Sequence, residues 1–174
     1  MMPKVAMRQG EKDKTTRAPI LVLGVGNILL SDEGVGVRVV EAMQQMKMPD
    51  NVEVLDGGTA SMALLDTLRD RDKVIIIDAV KANHEPGTLY RFTPCDISVH
   101  KEIITSLHQL GVLDALTHVE YLGHAPQSVV FYGIEPEELG WGLELTPKVK
   151  SMIPRVIELV LSELGVSAPS TASI

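Results

Sequence analysis

The chain alternates short β-branched apolar runs with longer stretches whose apolar residues recur at helical spacing. That alternation predicts a parallel sheet with helices packed on both faces. Ile20–Gly24 reads as a first strand, closed by glycine and asparagine. From Asp32 to Met46, the residues Val35, Val39, Ala42, Met43 and Met46 share one helical face. Asn51–Leu55 reads as a second strand, stopped by Asp56, Gly57 and Gly58, with a helix after it that turns Met62, Leu64, Leu65 and Leu68 inward. Lys73–Asp78 is the clearest strand, an apolar run that ends abruptly on a carboxylate, as expected where both faces are covered. Pro86 and Gly87 turn the chain into a strand through Phe92, a helix follows around Ser106–Val119, and Ser128–Ile134 is the last strand. Pro147 suits the first turn of a final helix, with Thr146 as its cap.

The expected architecture is therefore α/β: one three-layer domain over residues 20–166, its mostly parallel twisted sheet covered by helices on both faces. Residues 1–19 are mixed and charged, lack the apolar stretch of a secretory signal, and read as a disordered extension. The Ala/Ser/Thr-rich end, 167–174, reads as a loose tail. No internal repeat or linker divides the domain. Its 174 residues suffice for one core without disulfides or a structural metal.

Composition narrows the function classes. Aromatics make up only 3% of the chain, so the core must be aliphatic. Sixteen basic against 23 acidic residues give a charge of −7, which disfavours a sequence-independent nucleic-acid binder. No apolar run is long enough for a membrane span. A lone cysteine, Cys95, cannot form an intrachain disulfide, and the expected location is the cytoplasm.

The loop Gly24-Val25-Gly26-Asn27 invites a dinucleotide-binding reading, which fails because Leu29 stands where the third glycine belongs. More informative are the acids that follow the strands, since open parallel sheets bind ligands at their carboxyl edge. Asp32 and Glu33 come just past the first strand. Asp32 is expected to cap the helix and complement its dipole, leaving Glu33 to point elsewhere and serve as a ligand. Asp78 ends the third strand, where helix capping competes with a functional role. Asp56 ends the second; capping the helix near Thr59 is its first reading and catalytic assistance its second. Of five histidines, His108 lies near the start of an amphipathic helix, where it could converge with Glu33 and Asp78. Two carboxylates and one imidazole leave coordination positions open and suit a borderline divalent ion such as nickel or zinc. Cys95 has no histidine placed to activate it and reads as a structural or loop thiol.

These same residues carry a resemblance. The stretch from Leu23 to Gly36, LGVGNILLSDEGVG, is similar to the opening signature of the hydrogenase maturation endopeptidases. Asp56-Gly57-Gly58-Thr59, Ile77-Asp78-Ala79, Ser106–Gly111, Gly133-Ile134-Glu135-Pro136 and Leu145-Thr146-Pro147 resemble later parts of that family, in its order. The resemblance implies an enzyme, commonly classed as aspartic-type, that removes a C-terminal peptide from the large-subunit precursor of a nickel-iron hydrogenase. It places the metal ligands on Glu33, Asp78 and His108 and leaves catalysis to Asp56 or Asp78. Nickel would be supplied by the precursor, the one partner expected; nucleic acid and membrane are not, and the protein is expected to be a monomer. The competing readings are a checkpoint module that binds nickel-loaded precursor without cutting it, and a nucleotide-binding regulator.

Overall fold

A computed structural model describes residues 17–59, 64–99 and 107–166, without the side chains of 98–99 and 107–110. Five strands form one sheet: β1 (Ile20–Gly24), β2 (Val52–Asp56), β3 (Lys73–Ala79), β4 (Leu89–Phe92) and β5 (Ser128–Ile134). Their order is β2-β1-β3-β5-β4, with every pairing parallel except that of β4 with β5. The helices are α1 (Val35–Gln44), α2 (Leu65–Leu68), α3 (Pro94–Val99), α4 (Leu107–Tyr121), α5 (Pro147–Lys150) and α6 (Ile153–Glu163). The chain runs outward from β1 to β2 and then crosses to β3 on the other side, so the topological switch lies between the carboxyl ends of β1 and β3.

Strand alternation divides the core into two layers. On one face Val22, Ile75, Ile77, Val130 and Tyr132 pack against α1 and α6 through Val35, Val39, Met43, Val156 and Val160. On the other, Leu21, Leu23, Val74, Ile76 and Phe131 meet Leu68 of α2 and Val112, Ala115 and Leu116 of α4. Phe92 of the edge strand stacks on Phe131, ring centroids 5.1 Å apart. Each fully buried aliphatic side chain contributes about 1.5–3 kcal/mol of transfer free energy, and this aliphatic core needs no disulfide.

Several elements differ from the sequence expectation. The first helix is preceded by a separate 3-10 turn, Ser31–Gly34, because Asp32 is drawn away from the helix axis by partners elsewhere. The final helix divides into α5 and α6, with Pro154 in the first turn of the second. Thr146 caps α5 as expected, its hydroxyl accepting the N–H of Val149. The short α3, after β4, has no counterpart in the periodicity. Residues 17–19, assigned to the extension, are tied to the domain: Arg17 pairs with Asp66, and the Pro19 carbonyl accepts the N–H of Asp72 at 2.8 Å. The remainder of the extension, the segment 60–63 and the tail 167–174 lie outside the described residues.

At the amino edge of the sheet, Glu163 binds Lys73 (2.6 Å), Arg91 (3.0 Å) and the Tyr132 hydroxyl (3.2 Å), joining α6 to β3, β4 and β5. The Arg91 hydrogen bond, opposed by burial and reinforced by Lys73, holds the Glu163 carboxyl at about 2, below its ordinary 4.5. A depressed pKa stabilises the fold above the unfolded value and loses that contribution as pH falls through the folded one. The melting-temperature gap between wild type and Glu163→Gln is therefore expected to be full above about pH 4.5 and to close toward pH 2. A gap that does not change between pH 6 and pH 3 would overturn this assignment.

Candidate functional site

The carboxyl edge between β1 and β3 is built on glycine. Gly26 has φ +142, a conformation L side chains rarely adopt, and a Cβ there would lie 2.0 Å from the Glu33 carbonyl. A Cβ on Gly36, in the first turn of α1, would lie 2.1 Å from the Ile77 carbonyl. The start of α1 thus presses directly onto the end of β3, and the loop after β1 onto the Ser31–Gly34 turn, close approaches that a side chain at Gly36 or Gly26 would prevent. These contacts bring the Ser31–Gly34 turn, and Glu33 with it, against β3.

Asp78, next to Ile77, is 1% exposed, and its Oδ1 accepts the N–H of Ala79 at 2.8 Å. Ile75 and Ile77 belong to the α1/α6 layer and Val74 and Ile76 to the α4 layer, so alternation puts Asp78 on the α4 side. Glu33 is half-buried in its turn. Both carboxylates therefore stand at one edge of the sheet, beside the topological switch. His108 falls in the first turn of α4, the helix on the Asp78 face, but its side chain lies outside the described residues. Among the described residues no three of His, Cys, Asp and Glu gather as a metal-binding group. A donor set of two carboxylates has the chemistry to approach a divalent cation, and an imidazole from α4 would complete it.

Asp56 sits differently. It ends β2 opposite Gly24, which in turn faces Ile77, so β1 separates it from β3 by two strand spacings, about 10 Å. Alternation directs it to the α1 side, and it is exposed. Its Oδ1 accepts the Gly58 N–H at 2.7 Å, closing the turn after β2; the helix start it was expected to cap, beyond Thr59, lies outside the described residues. A cleft of about 290 Å³ opens beside it, lined by Gly26, Asn27, Ile28, Leu29, Val37, Asp56, Gly58 and Thr59. Asp56 and Asp78 are thus not arranged as a pair of touching carboxylates sharing one proton.

Asp32 departs most from the sequence expectation. It caps neither its own turn nor α1. Fully buried, it reaches across to the segment after β5: Oδ2 accepts the N–H groups of Glu137 (2.9 Å) and Glu138 (3.0 Å) and the Thr146 hydroxyl (2.9 Å), and Oδ1 accepts the Thr146 N–H (2.7 Å). Ser31, at φ +48, reinforces the same contact: its N–H donates to the Gly142 carbonyl at 2.8 Å, and the Gly142 N–H donates to Leu29 at 3.0 Å.

Sequence reasoning assigned no role to Glu135. It is 3% exposed and accepts the N–H groups of Ala82 (2.9 Å) and Asn83 (3.1 Å) and the Tyr90 hydroxyl (2.6 Å). It fixes the loop that leaves β3 directly after Asp78. Burial, then Glu135 itself, pushes the Tyr90 hydroxyl well above its ordinary pKa, so it remains a donor. An acid directly after the apolar run of β5 was the available signal. The described histidines outside α4's first turns are engaged elsewhere: His84 with Tyr90 (3.0 Å), His118 with the Asp114 carbonyl (2.7 Å) and His124 with Asp70 (2.9 Å).

Comparison with known proteins places the sequence and the fold in one family. A family model described as hydrogenase maturation protease matches residues 37–163. The chain is 45% identical over 147 residues to the hydrogenase 2 maturation protease of Escherichia coli, covering 83% of this chain and 90% of that protein. It is 39% identical over 150 residues to a hydrogenase expression/formation protein of Rhizobium leguminosarum, covering 83% and 73% respectively. In three dimensions it resembles a hydrogenase maturating endopeptidase from E. coli, with a TM-score of 0.78 at 44% identity, over 84% of this chain and 91% of the other.

Proposed function

The chain belongs to the hydrogenase maturation protease family, and from that premise we propose that it binds the nickel-loaded large-subunit precursor of a nickel-iron hydrogenase through Glu33, Asp78 and His108 and removes its C-terminal peptide. It is a hydrogenase maturation endopeptidase, acting on the large-subunit precursor. The observation that carries the site assignment is the placement of Glu33 and Asp78 at one sheet edge, beside the switch between β1 and β3. Among the described residues no helix is long and apolar enough to cross a membrane.

The nickel is part of the substrate. When bound, it supplies a fixed cationic anchor beside the bond to be cut. Glu33 and Asp78 would face that cation, and holding the precursor in one pose converts binding into orientation of the scissile peptide. Hydrolysis adds water to the peptide carbonyl and breaks the C–N bond, with a proton delivered to the leaving amine. A carboxylate accepts the water proton, and the separation of the two candidates gives each a distinct task. Asp78, buried on the α4 side, stays with Glu33 at the anchor. Asp56, exposed in the cleft, meets the scissile segment and a water.

Incubation of the pure protein with nickel-loaded precursor is expected to shorten the precursor, read by mass spectrometry as loss of the C-terminal peptide, whereas nickel-free precursor stays intact. Equal cutting of both forms would overturn recognition through the metal, and binding without shortening would leave a checkpoint module. Calorimetric titration with nickel-loaded precursor adds a test of the imidazole. His108→Ala is expected to weaken binding about tenfold or more, since losing even an outer partner of a metal ligand costs roughly that factor. His118→Ala and His124→Ala, whose rings are engaged away from this edge, should leave it unchanged. An equal loss in all three variants would move the assignment off His108.

A further inference from the structure

Two loops beside the cleft expose large apolar side chains where water would ordinarily be met by polar ones. Ile28 is 37% and Leu29 48% exposed after β1; Leu139, Trp141 and Leu143 are 42%, 86% and 61% exposed after β5. They do not project from loose chain. Leu30 bridges Gly142 in parallel, Gly142 exchanges hydrogen bonds with Leu29 and Ser31, Arg38 donates to the Leu143 carbonyl at 3.0 Å, and Asp32 holds Glu137, Glu138 and Thr146. A Cβ on Gly142 would lie 2.4 Å from the Ser31 Oγ, so a side chain there would force that hydroxyl to turn away. A rigidly braced apolar surface marks an interaction site.

We propose that Ile28, Leu29, Leu139, Trp141 and Leu143 form the docking surface for the hydrogenase large-subunit precursor, engaging a part of it distinct from the metal and the scissile segment. This rests on the protease reading above. Two observations choose the occupant. The surface is continuous with the cleft, because Ile28 and Leu29 line that cleft together with Asp56, so whatever seats on the patch is led toward the candidate site. Glu137 and Glu138 lie exposed in the same segment, on a chain of net charge −7, which selects apolar side chains flanked by lysine or arginine. A second copy of this chain fits poorly, because a two-fold contact through the patch sets these acidic groups against their own copies. The apolar surface supplies affinity through its exposed tryptophan, the residue type that most often dominates an interface, while the acids set register and partner choice.

Trp141 is the chain's single tryptophan, so 5-fluorotryptophan incorporation gives one fluorine reporter on the surface. Adding unlabelled nickel-loaded precursor is expected to shift that resonance and to shield it from a soluble paramagnetic probe. Trp141→Ala and Leu143→Ser should each raise KM for precursor cleavage about tenfold or more with kcat retained, the signature of lost ground-state binding. Tyr121→Ala, which removes an equally exposed ring from the far end of α4, should change neither. Melting temperatures separate lost docking from lost folding. The fluorine readout needs no cleavage, so a shifted resonance with uncut precursor sinks the protease reading and supports docking. Cleavage with an unshifted resonance and unchanged KM in the variants overturns the docking surface alone. A resonance that moves only with the protein's own concentration assigns the surface to a second copy and overturns the proposal.

Discussion

Glu33→Gln and Asp78→Asn are each expected to lower the cleavage of nickel-loaded precursor by on the order of a hundredfold or more, while both proteins remain folded. The scale follows from what the carboxylates do, since losing the pose of a bound substrate by about 1 Å costs roughly that factor. Both substitutions keep the size of the side chain and remove the charge that the proposed site would turn toward the cation. Asn at position 78 retains an oxygen to accept the Ala79 N–H, and Gln at position 33 occupies a half-buried turn, so neither leaves an obvious packing fault. Cleavage rates by mass spectrometry, set beside thermal melts, read the two effects separately. Asp56→Asn should also slow cleavage, but with precursor binding preserved, because Asp56 lies across β1 from β3 and Asp78. Cleavage near the wild-type rate in Glu33→Gln would remove that residue from the site. Loss of cooperative unfolding in Asp78→Asn would make Asp78 a structural acid.

The architecture was legible because its signals are local. Strands β1, β3 and β5 announce themselves as apolar runs covered on both faces, and Asp56 and Asp78 at the ends of β2 and β3 mark the carboxyl edge before any strand order is known. Gly26 and Gly36 were visible as residues, but their purpose was not, since it lies in contacts with Glu33 and Ile77 on other elements. The same holds for Asp32. Adjacent to a helix start, it carries every local mark of a cap, yet its four donors, on three residues, stand more than one hundred positions away. Glu135 was missed for that reason too: its work is to accept N–H groups from Ala82 and Asn83, about fifty positions earlier. Short-range pattern predicts elements well and predicts poorly which polar side chain satisfies a distant backbone.

Asp32→Ala should therefore be the most destabilising substitution near the site, lowering stability by about 3–5 kcal/mol. The change strands the part-buried N–H groups of Glu137, Glu138 and Thr146, each of which costs up to about 1–3 kcal/mol when unpaired, less what water recovers at this part-exposed segment. For a chain of this length, about 2–4 °C of melting temperature goes with each kcal/mol, which puts the expected drop at roughly 10 °C or more. Asp32→Asn should fall between wild type and alanine. Its amide oxygen can serve the three donors at the Oδ2 position, but the amide nitrogen then faces the Thr146 N–H, two donors with no acceptor. The loss is local in origin, so hydrogen exchange in folded Asp32→Asn should quicken across 137–146 and not in β3 or β5. The segment released carries Leu139, Trp141 and Leu143, so KM for the precursor should rise with it even though Asp32 touches neither metal nor scissile bond. Unchanged exchange across 137–146 in this variant would mean that Ser31, Arg38 and the Leu30–Gly142 bridge hold the loop without the carboxylate.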